Sequence, residues 1–264
     1  MQHDERADAI RWDELRRFTP ARIGLGRSGV ALPTREVLDF GLAHARARDA
    51  VHAPLDTAAL AADLRAAGFD VVQARSRAPD RATYLRRPDL GRQLDPDAQA
   101  ALRARGTDAT DLALVIGDGL SSLAVQRHAA PLLLALKACL PQHVACSPVV
   151  VVQQARVAVG DDVGEALQAR LVAVLVGERP GLGSPDSLGI YLTHAPRRGR
   201  HDAERNCISN VRPEGLPSAP AACKLAWLVV QALQRGLTGV GLKDESDGGL
   251  LPADPGGGAL PGSA

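Results

Sequence analysis

Three short segments hold residue types from which a binding site is built. Residues 118–122 (DGLSS) set a carboxylate, a glycine and two hydroxyls directly after an apolar run and at the start of a helical pattern. A helix N-terminus with free N–H groups favours an anionic or strongly polar ligand, and the same composition also makes an ordinary capped strand–helix turn. Residues 177–183 (GERPGLG) follow another apolar run. Their glycines permit close backbone approach, and Glu178 accepts hydrogen bonds from amide donors; the alternative is a solvated ion pair with Arg179. Residues 207–210 (CISN) form the third segment. No His, Asp or Lys at motif spacing supports a thiolate at Cys207, so it reads as a ligand contact or a small buried hydrophobe, and not as a nucleophile. No catalytic residue is assigned.

Several signatures do not occur. No GxGxxG follows the strand that begins at Leu112, and there is neither a Walker A loop nor an HExxH. Residues 24–29 (GLGRSG) fit GxGxxG superficially but follow no buried strand. The seven histidines are scattered without metal-ligand spacing, and most are expected at the surface. No metal site is assigned.

The elements that must position these segments are legible from periodicity and caps. Residues 112–117 (LALVIG), 149–152 and 171–177 (LVAVLVG) are continuous apolar runs, as parallel strands buried on both faces should be. Residues 188–193 read as a further strand. Helices are expected from the 118–122 segment through Lys137, over 161–169 as a short crossover, and over 219–235. Strands alternating with helices indicate an α/β chain: a Rossmann-like doubly wound parallel sheet, with ligands at the carboxyl ends of its strands. A smaller, mainly helical N-terminal region precedes it. There, Asp95-Pro96 starts a helix that should stop at Gly106, and Asp56-Thr57 starts another, with Leu60 and Leu64 on one face and Gly68 as its stop. A third begins near Thr34 and is expected to carry Val37, Leu38, Gly41 and Leu42 inward. The resulting division is residues 1–106, mainly helical, 107–246, α/β, and a Gly/Pro-rich tail over 247–264 that is expected to be disordered.

Composition narrows the function classes. Hydrophobic residues make up 45% but aromatics only 3%, so the core must be built from Ala, Val and Leu. Thirty-one Lys and Arg against thirty Asp and Glu leave no basic excess of the kind nucleic-acid binding uses. No run of about eighteen apolar residues is present to span a membrane. The four cysteines, at 139, 146, 207 and 223, form no CxxC and read as reduced thiols in a cytosol.

Taken together, residues 19–29 (TPARIGLGRSG), 84–94 (YLRRPDLGRQL), 116–122 (IGDGLSS), 176–183 (VGERPGLG) and 207–210 (CISN) resemble the ethanolamine ammonia-lyase small subunit family, in the family's own order. VGERPGLG followed some two dozen residues later by CISN is the most specific part. The resemblance implies adenosylcobalamin, a cobalt cofactor, held between this chain and a large barrel subunit that carries the substrate pocket. It implies a hetero-dodecamer of six large and six small subunits, with the N-terminal region making large-subunit and oligomer contacts. Homolysis of the cobalt–carbon bond would give an adenosyl radical that takes hydrogen from ethanolamine, ending in acetaldehyde and ammonia. Carried over by position, the small-subunit cobalamin contacts fall on Val157, Glu178 and Cys207. A carboxylate suits the N–H donors of the corrin's peripheral carboxamides, while Val157 and Cys207 offer apolar contact. No DxHxxG occurs, so cobalamin is expected with its own dimethylbenzimidazole on cobalt. The implied location is the bacterial cytoplasm, within a microcompartment where the organism builds one. Many members carry a long N-terminal segment that can direct packaging, and the matched region here starts near Met1, which counts against encapsulation. Two other readings compete: a stand-alone α/β enzyme binding a phosphorylated small molecule at 118–122, and a purely structural subunit.

Overall fold

The computed structural model describes residue 12 and residues 14–19, 21–105 and 110–246. Its elements run α1 (Thr34–His52), α2 (Thr57–Ala66), β1 (Val71–Arg75), α3 (Arg81–Arg86), α4 (Pro96–Ala104), β2 (Leu112–Gly117), α5 (Ser122–Cys139), β3 (Cys146–Gln153), α6 (Val159–Ala166), β4 (Leu171–Gly177), β5 (Leu188–His194), β6 (Arg205–Val211) and α7 (Ser218–Arg235). The strands form one six-stranded sheet in the order β1-β3-β2-β4-β5-β6. The first four in that order are parallel, and β5 and β6 join antiparallel at one edge.

The sheet is covered on both faces. Leu60 and Leu64 of α2, Leu132 and Leu136 of α5 and Leu225 and Val229 of α7 pack on one side with Leu114, Val149 and Leu175. Leu102 of α4 and Val159 and Val163 of α6 pack on the other with Val115, Val150 and Val174. Every residue of β2 and of β4 is buried, which is why those strands read as unbroken apolar runs. The core is Val, Leu, Ala and Ile, with Tyr84 as its one fully buried aromatic side chain among the described residues. No helix of the described residues is long and apolar enough to cross a membrane.

Caps set the helix ends where the sequence marks them. Asp95 accepts from the backbone N–H groups of Asp97 and Ala98 with Pro96 in the first turn, and Asp56 accepts from Ala59. Gly68, at φ +81°, follows α2 in the left-handed region. The expected stop at Gly106 and the tail over 247–264 lie outside the described residues.

Several expectations need correction. The sheet begins inside the stretch read as helical, because β1 pairs in parallel with β3 from Val71↔Val149 to Arg75↔Gln153. Residues 205–211, to which the sequence reading assigned no element, are β6. Helix α1 does not carry Val37, Leu38 and Leu42 inward: they are 53%, 67% and 49% exposed, and only Ala43 and Ala50 of the helix are buried. Periodicity identifies an apolar face but not what covers it, and nothing among the described residues covers this one. His128 is buried within α5, its Nε2 3.6 Å from Asp186 Oδ2.

Candidate functional site

Strand β2 sends its connection through α5 on one face towards β3, and β3 returns through α6 on the other face to β4. The carboxyl ends of β2 and β4 therefore flank the point where connections leave in opposite directions, the place where open α/β sheets bind ligands. Two glycines close the gap there. Leu120 N–H donates to Gly177 O at 2.9 Å, and Gly119 sits at φ +57° with no room for a side chain against Gly177. A Cβ on Gly177 would press on the backbone carbonyl of Ser121 and lie 2.8 Å from Asp118 O. Both obstacles are backbone and cannot swing aside. Gly177→Ala should therefore lower stability by about 1–3 kcal/mol; an unchanged denaturant midpoint would mean the 118–121 turn yields freely.

Above this junction opens a cleft of about 400 Å³, walled by Gly119 and Leu120 after β2, Arg156 and Val157 after β3, and Glu178 and Arg179 after β4, with Tyr84 and Tyr191. Val157 and Glu178, both carried over from the family by position, thus line one cavity. Cys207 does not line it. It lies inside β6, not at a strand end, opposite Tyr191 in the register. Tyr191 joins the two, since it lines the cleft and stands opposite Cys207 across the paired strands. Cys207 is exposed on this edge strand, and desolvation by its neighbours, with Tyr191 opposing, pushes the thiol up, away from the thiolate a nucleophile needs.

The tyrosines are what the motif reading missed. The chain has only two, and both reach this cleft. In so aromatic-poor a sequence that scarcity was the available signal. Tyr84 is fully buried and donates to Ala155 O at 3.1 Å, with the guanidinium carbons of Arg81 and Arg156 4.8 and 4.4 Å from its ring centre.

Glu178 is not a free carboxylate, nor is it paired with Arg179. It accepts from Ser187 Oγ, from Ser209 Oγ at 2.6 Å and from the backbone N–H of Asn210 at 3.2 Å, latching the end of β4 to β6. Its stem fits because Gly189 has no side chain: a Cβ there would lie 3.1 Å from Glu178 Cγ.

The 118–122 segment is consumed by the fold. Ser121 Oγ donates to Pro185 O at 2.8 Å and accepts from Ala124 N, while Ser122 Oγ donates to Ala53 O at 2.6 Å. Asp118 is buried, accepts from Ala155 N at 2.8 Å and meets Arg81 at 3.3 Å; burial pushes its carboxyl up against those bonds. Hydroxyls already committed, and a carboxyl beneath them, make this a joint and not a phosphate cradle.

The loop carrying Val157 is fixed from behind by two acidic residues of α6. Asp161 takes a bidentate pair from Arg205 at 2.8 and 2.6 Å, and Arg205 also donates to Thr193 Oγ1 and Arg200 O. Asp162 accepts from Leu94 N at 2.9 Å and from Arg198 at 2.7 Å. Two buried carboxylates thus tie α6 to β6 and to the segment after α3.

The family model for the ethanolamine ammonia-lyase light chain (EutC) matches residues 9–243. An ethanolamine ammonia-lyase small subunit of Azotobacter vinelandii is 57% identical over 240 residues, covering 89% of this chain and 89% of that protein. One from Rhodopseudomonas palustris is 57% identical over 234 residues, 88% and 90% of the two chains. One from Pseudomonas syringae pv. tomato is 52% identical over 255 residues, 95% and 89%.

Proposed function

The chain belongs to the ethanolamine ammonia-lyase light-chain family, as a subunit of a lyase, and from that premise we propose that it helps to hold adenosylcobalamin, base-on, against a large subunit that converts ethanolamine to acetaldehyde and ammonia. What carries the reading is the cleft at the β2/β4 junction, with Val157 and Glu178 on its walls and Cys207 behind Tyr191. At about 400 Å³ it is open and too small to enclose a corrinoid, which suits a ligand whose other face a second subunit covers. Its donor set fits as well. Glu178 keeps lone-pair capacity for an amide N–H, and Val157 and Tyr191 give apolar surface.

The bound cofactor supplies radical chemistry, and this chain's residues bind, orient and exclude water. Tyr84, gripped between Arg81 and Arg156, holds the cleft floor rigid. The hydroxyls of Ser121 and Ser122 are committed to Pro185 O and Ala53 O and hold the turn after β2 in place. The substrate pocket and its catalytic groups belong to the large subunit in this reading.

The exposed apolar face of α1 favours an assembled protein. Phe40 is 45% exposed beside Val37, Leu38 and Leu42, a patch that a partner subunit would cover. The proposed assembly is six large and six small subunits in the bacterial cytoplasm, inside a microcompartment where one is built. The isolated chain is expected to be poorly soluble; a soluble, cooperatively unfolding monomer would count against this.

The deciding experiment measures ammonia release from ethanolamine with adenosylcobalamin, using this chain alone, the large subunit alone and both together. Activity is expected only in the mixture. A competent large subunit that works equally well without this chain would overturn the proposal.

A further inference from the structure

A second hollow of about 280 Å³ adjoins the cleft and shares Arg156 and Val157 with it. Its other walls bring Arg92, Arg200 and His201 together, with Asp202 as the acidic member. Arg200 spends its donors on Glu204 and on Ala195 O, so the charges left to meet an anion are those of Arg92 and Arg156. The Asp202 side chain is 99% exposed and screened by solvent. Glu204, close by, is occupied by Arg200 and by the backbone N–H of His201. The hollow is also built, not accidental: Arg156 N–H donates to Gly91 O at 2.8 Å, which fixes Arg92 beside Arg156. The Arg156 guanidinium is held 4.4 Å over the Tyr84 ring while its Nε, buried, has no hydrogen-bond partner among the described residues. A planar guanidinium fork matches the paired oxygens of a phosphate better than it matches an amide or a sugar.

We propose that this hollow is a phosphodiester subsite, reading the phosphate of the nucleotide tail of a cobalamin whose corrin lies in the adjoining cleft. The inference rests on the cobalamin reading above and deepens it. That tail leaves the rim of the macrocycle, so a basic hollow beside the corrin cleft, sharing a wall with it, is within its reach. Arg156 and Arg92 are then specificity residues: they distinguish a complete cobalamin from a corrinoid lacking the tail. Inorganic phosphate has the same chemistry and is the competing source.

The test is equilibrium binding to the complex of this chain with the large subunit, followed by corrin absorbance, with cobalamin, with cobinamide, which has the same macrocycle and no phosphodiester, and with inorganic phosphate as competitor. Arg156→Gln is expected to weaken cobalamin by about ten-fold or more, as loss of a charge-assisted bond does, and Arg92→Gln by less. Cobinamide should shift less than about two-fold in either variant, because it lacks the group these arginines would bind. Arg92 stands at an exposed rim, so Arg92→Gln remains informative if Arg156→Gln disturbs the Tyr84 stack. Equal weakening of both corrinoids, or of neither, would overturn the subsite while leaving the cobalamin reading intact. Variants that lose phosphate competition yet keep the full preference for cobalamin would make the hollow a free-phosphate site and overturn it too. A wild-type complex that binds neither corrinoid would remove the cobalamin reading and this inference with it.

Discussion

Asp161→Ala should destabilise the chain by about 3–5 kcal/mol, because it strands a buried guanidinium. Side-chain exposures of 1% for Arg205 and 3% for Asp161 put the pair among the most enclosed charges described. Burial pushes the Asp161 carboxyl up, and the bidentate Arg205 bonds pull against it. The pair's net worth is therefore small while the cost of halving it is large. Asp161→Leu combined with Arg205→Met should recover most of the loss, since a shape-matched apolar pair avoids the desolvation of both charges. Recovery cannot be complete, because Thr193 Oγ1 and Arg200 O lose their donor. Denaturant unfolding of wild type, single and double variants decides it. If the double falls as far as the single, the pair is not the source of the loss. The functional consequence follows from position. Helix α6 starts two residues after Val157, so freeing Asp161 also frees the wall shared by the cleft and its basic neighbour.

That pair also explains which parts of the fold were legible. Strands β2 and β4 declared themselves because burial on both faces demands unbroken apolar runs. Strand β6 (RNCISNV) did not: its partner β5 is on one side only, and its sequence shows neither an unbroken apolar run nor a polar–apolar alternation and opens on a charge. Arg205 is admitted to the sheet only because Asp161, forty-four residues earlier, meets it. Strand β1 (VVQAR) was hidden likewise, as an edge strand with a single buried residue. Local patterns report local burial; they do not report a partner supplied by distant chain. The same limit applies to the site. The motif segment around Glu178 marks a sheet-end loop, but the Gly119–Gly177 contact, the Tyr84 stack and the Tyr191–Cys207 pairing arise only when the sheet orders its strands. The unaided reading picked out CISN as well, yet nothing local showed that Cys207 lies inside a strand. The serines of 118–122, whose hydroxyls were attractive in sequence, proved to be committed to Pro185 and Ala53.

Glu178→Gln should weaken cobalamin binding to the assembled complex by about 10- to 100-fold, the worth of a hydrogen bond to a charged group. A carboxylate has about four lone-pair sites. In this chain Ser187, Ser209 and Asn210 N–H take three of them, which leaves about one for a corrin carboxamide. The amide of Gln can still accept from Asn210 and Ser187 through its oxygen, and its NH2 can meet Ser209 Oγ, whose hydroxyl also accepts. The substitution therefore preserves most of the latch and removes the charge and the spare acceptor. Glu178→Ala differs, because Asn210, held at φ +59°, would lose the acceptor for its backbone N–H, and the end of β4 would part from β6. Ser209→Ala supplies the discriminating control. It removes one strand of the latch from an exposed position and leaves the carboxylate in place. If the carboxylate touches the cofactor, Ser209→Ala changes affinity less than about three-fold, because it removes a bond of the latch and none to the cofactor, while Glu178→Gln gives the larger loss with an unchanged unfolding midpoint. If both variants weaken binding equally and lower the midpoint together, Glu178 serves as a latch alone, and the contact with the corrin amides must come from elsewhere on the cleft wall.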